Sequence, residues 1–349
     1  MSVLAVETSC DDTCAAVIGW DGSIRSNVIS SQQEHARFGG VVPEIASRHH
    51  LELINAIVAL ALSDAGASLE EVELVAATQG PGLIGALLVG LSTAKALAAS
   101  RELPFAAVDH LQGHVAANFL LGGDDAGDGA FEPPFLCLIA SGGHTLITHV
   151  SEHDGFEVLG RTLDDAAGEA FDKGARMLGL GYPGGAALER LAADGDPEAF
   201  LFPGSKGERA RGGRGTHRTA FADGLDFSFA GVKTALLYAL RELSEADAAA
   251  RAADLAASYQ AAIVESLAGR AERALERTGI ARLALGGGVA ANGQLRRRLG
   301  ELDVALHVPT RALCTDNAAM IASAARYCQR LEYPQYLTLD AYASGEARL

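Results

Sequence analysis

Short apolar runs separated by polar turns open the chain and predict β-strands. Three such runs cover residues 2–9, 13–20 and 23–30, and Asp21-Gly22 lies between the last two. An Asp-Gly pair between alternating apolar runs is a typical hairpin turn. The pattern therefore predicts consecutive strands joined by tight turns at the N-terminus.

A helix and a further strand follow these hairpins. Apolar residues recur with helical spacing from about Pro43 to Ala65, and Pro43 suits the first turn of a helix. The apolar run at residues 74–79 predicts a buried strand, which leads through a glycine-rich loop into a second helix that ends near Ala99. This mixture predicts an α/β fold.

The same pattern starts again near Pro133. Apolar runs at residues 135–141, 145–151 and 156–163 predict neighbouring strands, and a later strand again runs into a glycine loop at residues 286–288. We interpret this repetition as an internal duplication that gives two related lobes with a cleft between them. The alternative is that a mixed α/β chain shows hairpins twice by chance.

The length of 349 residues agrees with two domains, because a domain of about 150 residues is usual. We predict an N-terminal lobe at residues 1–132, completed by a C-terminal helix at 315–331, then a C-terminal lobe at 133–314 and a tail at 332–349.

The sequence does not resemble a secreted or membrane protein. Residues 1–8 have no basic region and carry Glu7 inside the apolar run, unlike a signal peptide. The longest apolar stretch, Leu83–Ala99, contains polar residues and is shorter than a membrane helix requires. The five cysteines form no paired framework, and Cys10 and Cys14 lack the spacing of a zinc knuckle. We therefore expect a cytoplasmic protein with reduced thiols.

The formal net charge of −16 opposes binding of a polyanion over the whole surface. Any contact with a nucleic acid must therefore be local. The basic loop Lys206–Arg218 and the cluster of Arg296, Arg297 and Arg298 are the two candidate patches. The alternative for both is a solvated surface without a nucleic-acid partner.

The glycine loop at residues 80–85 (GPGLIG) matches the G-x-G-x-x-G pattern, and Asp109 follows it downstream. We disfavour a dinucleotide site, because that motif belongs in the first βαβ unit and here it follows several strands and a helix. Two interpretations remain open. The loop either presents helix N-terminal amides to a phosphate or allows close packing of the backbone.

His110 and His114 are four residues apart, so a helix would place both imidazoles on one face, and Asp109 suits its N-cap. Such a pair can bind a divalent metal, although polar packing is the alternative. The glutamate of the zinc-protease motif H-E-x-x-H is missing, which disfavours a metalloprotease. Asp316 can supply a carboxylate ligand or, alternatively, cap the helix that follows it.

Several polar and glycine-rich segments of the second half can contact a ligand. Ser141–His144 interrupts a predicted strand pair, and the glycines allow close approach of a ligand to the backbone. Asp165, Glu169 and Asp172 lie on adjacent turns of one predicted helix, either as a row that accepts ribose hydroxyls or as a solvated face paired with Lys173. A turn at residues 182–185 and the segment GGGVAAN at 286–292 follow, and packing alone does not readily explain three consecutive glycines.

Together these segments resemble one family closely, the bacterial tRNA N(6)-adenosine threonylcarbamoyltransferases, formerly labelled glycoproteases, of the actin-like ATPase (ribonuclease H-like) superfamily. The matching segments, in chain order, are ETSCDDT, GGVVPEIASRHH, TQGPGLIGALLVG, DHLQGH, SGGHT, DDAAGEAFDK, YPGG, FSFAGVKT, GGGVAAN and TDNAAMIA. They cover nearly the whole chain in the order of the family, which makes coincidence negligible.

The resemblance implies one divalent metal ion per subunit, Fe²⁺ in preference to Zn²⁺, held by His110, His114 and Asp316. It also implies a set of substrate contacts, namely Ile139, Ala140, Ser141, Gly142, Gly143, Asp172, Gly185 and Asn292. The implied activity is an acyl transfer, in which the threonylcarbamoyl group passes from threonylcarbamoyl-AMP to the exocyclic amine of the adenosine 3′ of the anticodon. The implied substrates are tRNAs that read codons beginning with A, and the implied product is AMP.

The implied partners are a small P-loop ATPase and an inactive paralogue of the same fold. Three side chains depart from the usual pattern, namely Asp12, Asp109 and Gln112, and the basic loop at residues 205–218 is longer than expected. Asp11, Asp12 or the substrate phosphate can act as general base. A small-molecule kinase and a noncatalytic scaffold on the same fold are the alternative functions, and the scaffold predicts no metal.

Overall fold

The N-terminal strands form a mixed sheet whose order follows from their connections. The computed structural model describes residues 2–121, 131–204 and 224–343. Within them, the first sheet contains β1 (Ser2–Glu7), β2 (Asp12–Gly19), β3 (Ile24–Ser31), β4 (Val72–Gly80) and β5 (Phe105–Asp109), in the order β3-β2-β1-β4-β5. Tight turns make β1, β2 and β3 antiparallel, whereas β4 and β5 run parallel to β1.

A second five-stranded sheet repeats this order. It contains β6 (Phe135–Ala140), β7 (Thr145–Glu152), β8 (Gly155–Arg161), β9 (Arg282–Gly286) and β10 (Ala305–His307), in the order β8-β7-β6-β9-β10. In each sheet the first strand of its set is central, and a later parallel strand lies beside it. The common order confirms the two related lobes that the repeated pattern predicts.

Helices cover the sheets. The helices of the described residues are α1 (Pro43–Asp64), α2 (Ile84–Ser100), α3 (His110–Ala116), α4 (Ala167–Met177), α5 (Gly185–Ala192), α6 (Ala230–Glu242), α7 (Glu245–Ala250), α8 (Ala252–Thr278), α9 (Gly293–Gly300), α10 (Arg311–Cys314) and α11 (Ala318–Ala325). The helix predicted from Pro43 to about Ala65 is confirmed as α1. None of the helices in the described part of the chain has both the length and the apolar character that a membrane crossing needs.

The chain divides into two compact units. Unit 1 comprises residues 1–133, 150–156 and 309–349, and unit 2 comprises residues 134–149 and 157–308. In unit 1, α1 and α2 pack with β1 and β4 around a core that also contains Tyr336 from the C-terminal segment. Burying such large apolar side chains stabilises the fold by about 1.5–3 kcal/mol each. In the same unit, α11 packs against β1, β2 and α3, which sets the position of the residues that precede it.

Candidate functional site

The helix that carries both candidate metal-binding histidines begins directly after β5. The Oδ1 atom of Asp109 accepts hydrogen bonds from the amides of Leu111 at 2.8 Å and Gln112 at 3.2 Å, so Asp109 is the N-cap of α3 as predicted. His110 and His114 lie one turn apart, and their ring centroids are 4.8 Å from each other. The cap and the helical spacing therefore bring the two imidazoles together in unit 1.

Asp316 completes this group. Its Oδ1 atom lies 3.6 Å from Nε2 of His110 and 3.4 Å from Nε2 of His114. The N-cap of α11 is the next residue, Asn317, whose Oδ1 atom accepts the Met320 amide at 3.0 Å. The alternative role of Asp316 as a helix cap is therefore wrong, and its carboxylate faces the histidines.

These three residues fit a divalent metal ion. Their ligand atoms all lie within 4.8 Å of one another. His114 is fully buried, and neither of its ring nitrogens has a hydrogen-bond partner among the described residues. Buried polar atoms without partners are rare, and coordination of a metal would satisfy this one. Two imidazoles and a carboxylate are a donor set that suits Fe²⁺ or Zn²⁺.

A second carboxylate, Glu7, lies behind His110. Nδ1 of His110 donates to Oε2 of Glu7 at 3.1 Å, and the Thr78 hydroxyl and the Ser9 amide also donate to this carboxylate. Burial opposes ionisation of Glu7, but the charge and hydrogen bond of His110 outweigh it and lower the pKa. Burial also opposes the charged form of His110, yet the charges of Asp316 and Glu7 raise its pKa to about 9.

The candidate bases Asp11 and Asp12 lie in unit 1, where Asp11 ends the turn after β1 and Asp12 is the first residue of β2. The backbone carbonyl of Asp11 accepts the Gln32 amide at 3.2 Å. Burial raises the pKa of Asp12 to about 7, and the charges of Asp316 and Asp11 add to this effect, against a hydrogen bond from Ser31. A carboxyl group with a pKa near neutrality can exchange a proton under physiological conditions.

The glycine loop at residues 80–85 is used for packing. The Gly82 amide donates to the carbonyl of Ala343 at 3.1 Å, and the Leu83 amide donates to the carbonyl of Ser9 at 2.8 Å. A Cβ atom on Gly82 would lie 2.6 Å from the Ser9 carbonyl oxygen, and one on Gly85 would lie 2.6 Å from the Ser47 hydroxyl. Of the two open interpretations, the contacts therefore support close packing of the backbone.

Two loops of unit 2 lie side by side at the carboxyl end of a parallel strand pair. The strands β6 and β9 are parallel, with Ile139 opposite Gly286. A Cβ atom on Gly142 or Gly143 would meet nothing within 4 Å, so this loop borders open space. Ligands of open α/β sheets commonly bind at the carboxyl ends of the strands.

Close packing does explain one glycine of the triple-glycine segment. Gly287 has a φ of 84°, which favours glycine, and a Cβ atom there would lie 2.4 Å from the carbonyl oxygen of Ala140. Substitution at this position would therefore strain the backbone and push it against the end of β6. Close packing therefore accounts for Gly287, and the expectation for the other two glycines of the segment stays a prediction.

The predicted carboxylate row divides into paired and turn-binding members, and the prediction of a single helix is wrong for Asp165, which precedes α4. Asp165 accepts hydrogen bonds from Lys173 at 2.8 Å and from Lys233, and Glu169 pairs with Lys173 at 2.7 Å. Both are therefore paired with lysines, as the alternative interpretation had it. Asp172 differs, because its Oδ1 atom accepts the Gly184 amide at 2.7 Å in the turn before α5.

The other predicted substrate residues of unit 2 also take part in local structure. Oδ1 of Asn292 accepts the Leu295 amide at 2.9 Å and caps α9, and its Nδ2 donates to Gln260 at 2.8 Å. Gly185 is the first residue of α5, and a Cβ atom there would meet nothing within 4 Å. Ile139 and Ala140 are buried at the end of β6, and Ser141 follows them.

Only one of the two basic patches, the arginine cluster on α9, lies within the described residues. The loop Lys206–Arg218 lies outside the described residues. In the cluster on α9, Arg298 lies 3.1 Å from Glu265 and 3.4 Å from Glu272, and Nε of Arg296 donates to the Ala290 carbonyl at 2.6 Å. Two of the three arginines therefore hold α9 against its neighbours.

Comparison with known proteins gives one consistent family. The family model of tRNA N6-adenosine threonylcarbamoyltransferases (TsaD) matches residues 23–323. A relative of this name from Salinibacter ruber is 47% identical over 354 residues, covering 99% of both chains. One from Symbiobacterium thermophilum is 47% identical and covers 97% of this chain and 95% of the relative. One from Clostridium perfringens (strain SM101) is 46% identical and covers 93% and 92%.

Solved structures with a similar fold are distant in sequence. HypF of T. kodakarensis has a TM-score of 0.57 at 15% identity, covering 93% of this chain and 47% of that chain. The activator of 2-hydroxyisocaproyl-CoA dehydratase from Clostridium difficile, with bound ADPNP, has a TM-score of 0.53 at 13% identity, covering 94% of both chains. These similarities concern the fold alone, which is that of the actin-like ATPases.

Proposed function

The chain belongs to the tRNA N6-adenosine threonylcarbamoyltransferase family, so it is a transferase of tRNA threonylcarbamoylation, and we propose the substrates, site and partners that follow. The donor is threonylcarbamoyl-AMP, and the acceptor is the exocyclic amine of the adenosine 3′ of the anticodon in tRNAs that read codons beginning with A. A C–N bond forms to the carbamoyl carbon, the C–O bond to the phosphate breaks, AMP leaves and the amine loses a proton. The family match over nearly the whole chain is the observation that carries this proposal.

The metal site consists of His110, His114 and Asp316, with Fe²⁺ preferred over Zn²⁺. The buried imidazole of His114 supports this assignment, because it lies beside the Asp316 carboxylate and makes no hydrogen bond within the described part of the chain. When bound, the cation supplies Lewis-acid stabilisation of negative charge on the adenylate.

The substrate loops of unit 2 bind and orient the adenylate. Gly142 and Gly143 border open space, and their amides stabilise negative charge that develops on the carbamoyl oxygen. The other contacts come from Ile139, Ala140, Ser141, Asp172, Gly185 and Asn292. The parallel pair β6 and β9 supports this assignment, because its carboxyl ends bring the first and last of these segments side by side.

Asp12 accepts the proton that the adenosine amine loses. Burial raises the pKa of Asp12 to about 7, which supports this role, because a base is most effective when its pKa lies near the working pH. An adenine amine is a poor nucleophile, so holding both substrates in the reacting geometry supplies much of the rate. The partners are a small P-loop ATPase and an inactive paralogue of the same fold.

Metal content and acyl transfer test this function together. We expect His110→Ala and His114→Ala each to lose the metal and the transfer of threonylcarbamoyl from its adenylate to tRNA, because a three-residue site binds weakly without one ligand. The matched control is His49→Ala, which removes a partly exposed histidine near Glu34. All variants should give the circular dichroism spectrum of the wild type.

Each alternative function predicts a different result in these assays. Stoichiometric metal in either histidine variant contradicts the metal site. Phosphoryl transfer to a small molecule without acyl transfer indicates a kinase. A metal-free wild-type protein without transfer in the presence of its partners indicates a scaffold.

A further inference from the structure

Glu7 is a carboxylate buried at the end of β1, with a side chain that is 1% exposed. Moving an ionised carboxylate from water into a protein interior costs several kcal/mol unless its partners compensate. A buried Glu at the end of an otherwise apolar strand therefore needs a physical reason.

Three donors compensate for the burial. Nδ1 of His110 and the Thr78 hydroxyl donate to Oε2 of Glu7, and the Ser9 amide donates to Oε1. They come from the ends of β1 and β4 and from the start of α3. Together they hold the carboxylate in one orientation, with an oxygen directed at the imidazole of His110.

This contact determines which nitrogen of His110 can bind a metal. A neutral imidazole carries one N–H group and one lone pair. When Nδ1 carries the hydrogen that it donates to Glu7, the lone pair lies on Nε2, and Nε2 faces Asp316 at 3.6 Å. Nδ1 of His114 has no hydrogen-bond partner among the described residues, and the carboxylate of Asp316 lies near its Nε2 instead. His110 is therefore the histidine whose tautomer the surrounding protein fixes.

The negative charge of Glu7 also favours a cation at this site. With both imidazoles neutral, Asp316 and Glu7 together carry two negative charges, and one of them lies on a side chain that is not a ligand. The charge of Glu7 therefore adds to that of Asp316 in attracting a cation, although Glu7 itself is not a ligand.

We propose that Glu7 is a positioning residue of the metal site, which fixes Nε2 of His110 as the ligand atom and raises the affinity for a divalent cation through its charge. The inference rests on the proposed metal site of His110, His114 and Asp316. Loss of a carboxylate partner of a ligating histidine typically weakens metal binding 10–100-fold.

The test is Zn²⁺ affinity, measured on metal-stripped full-length protein by competition with a chromophoric chelator. We expect Glu7→Gln to weaken Zn²⁺ binding about 10–100-fold, because the isosteric amide removes the charge. The matched control is Glu73→Gln, which makes the same change of charge at an exposed carboxylate of unit 1 that accepts a hydrogen bond from Trp20. Its Zn²⁺ affinity should stay close to that of the wild type. At saturating Co²⁺, the visible absorption bands of Glu7→Gln should keep their wild-type positions, because the ligands are unchanged.

The outcomes separate this inference from the metal site itself. No Zn²⁺ binding by the wild type contradicts the metal site, whereas equal binding by wild type and Glu7→Gln overturns only the role of Glu7. Shifted Co²⁺ bands in Glu7→Gln also overturn it, since Glu7 would then be a ligand. If Glu7→Gln does not fold, Glu7→Asp is measured instead. This variant keeps the negative charge, but its shorter side chain reaches less far towards Nδ1 of His110, so we expect weaker Zn²⁺ binding than in the wild type. Zn²⁺ affinity equal to that of the wild type would contradict the inference.

Discussion

Asp12 combines partial burial with an environment of negative charge. Burial is the larger cause of its raised pKa of about 7, and Asp316, Asp11 and Glu7 add to it. A bound cation at the histidines would favour the ionised form and lower this pKa. The side chain would then be an unprotonated base at neutral pH in the metal-loaded enzyme and would become protonated in mild acid.

The pH dependence of transfer tests this role of Asp12. We expect kcat/KM of the metal-loaded enzyme to fall as the pH decreases, with an apparent pKa below 7. Asp12→Asn should lower kcat at neutral pH by about 10²–10⁴-fold and remove this acidic limb. Asp11→Asn is the matched control and should keep the limb. A limb that persists in Asp12→Asn would assign the titration to another group.

The same raised pKa predicts a change in stability. Asp12 binds its proton more tightly in the folded than in the unfolded state, where a carboxyl pKa of about 3.9 is usual. Ionisation of Asp12 therefore opposes folding. The protonated carboxyl group makes its full contribution to the free energy of unfolding below the unfolded-state pKa, and this contribution is lost as the pH rises through about 7. Metal-free Asp12→Asn should consequently have a higher free energy of unfolding than the wild type in urea at pH 8, and a lower value contradicts the shift.

Residues whose partners are close in sequence could be predicted, and residues with distant partners could not. The pair His110 and His114 and the cap Asp109 follow from helical spacing within one short segment. The choice for Asp316 between ligand and cap depends on how α11 packs against α3, which no local pattern contains. Glu7 was visible as a charge in an apolar strand, but its partners Thr78 and His110 lie 71 and 103 residues away.

At the scale of elements, the C-terminal segment is tied to the start of the metal-binding helix. The Tyr342 hydroxyl lies 2.6 Å from Oδ2 of Asp109, while Oδ1 of the same carboxylate caps α3. The carboxylate of Asp109 therefore contacts both α3 and the C-terminal segment, although Asp109 and Tyr342 are 233 residues apart in sequence. Because His110 is the first residue of α3, the cap also sets the position of a proposed metal ligand.

The cap can be tested by substitution. We expect Asp109→Ala to lower the free energy of unfolding by about 1 kcal/mol, because it leaves amides at the start of α3 without an acceptor. Asp109→Asn keeps an oxygen acceptor for the cap and should lose much less, so it is the matched control. Urea unfolding of the metal-free protein measures both changes, and equal stabilities of Asp109→Ala and wild type would show that the cap contributes little. Zn²⁺ affinity should decrease in the order wild type, Asn variant, Ala variant.

The pattern of apolar residues predicts the strands and helices better than it predicts the contacts between them. It predicts α1 and all the described strands except the two short ones, β5 and β10, since period and turn residues are local properties. The pattern could not decide whether the glycine loop at residues 80–85 binds a phosphate or allows close packing. The loop packs against Ser9, Ser47 and Ala343, which come from other parts of the chain. Tyr336 likewise enters the core of unit 1 through a segment whose sequence shows no strong helical or strand period.

At the scale of the whole molecule, the net charge of −16 requires an explanation of how the protein holds tRNA. The arginines on α9 are poorly suited to this task. The side chain of Arg298 is largely buried and pairs with Glu265 and Glu272, and Arg296 donates to a backbone carbonyl. Only Arg297 of this cluster is without an ion pair or hydrogen bond among those described. The competing patch is the glycine-rich loop Lys206–Arg218.

We therefore predict that neutralising this loop weakens tRNA binding. The variant replaces Arg209, Arg211, Arg214 and Arg218 by glutamine, and the matched control replaces four exposed arginines elsewhere, namely Arg25, Arg48, Arg101 and Arg277. Both variants lose the same formal charge, so a general electrostatic effect would weaken their tRNA binding equally.

If the loop contacts phosphates, only the loop variant shows a large loss of tRNA affinity. The slope of log Kd against log salt concentration then decreases by up to about 3, because fewer counterions are released. Metal content and adenylate binding should stay at wild-type values in both. A loop variant with the affinity and salt slope of the control would mean that the loop is only solvated and that tRNA is held by other residues or by a partner.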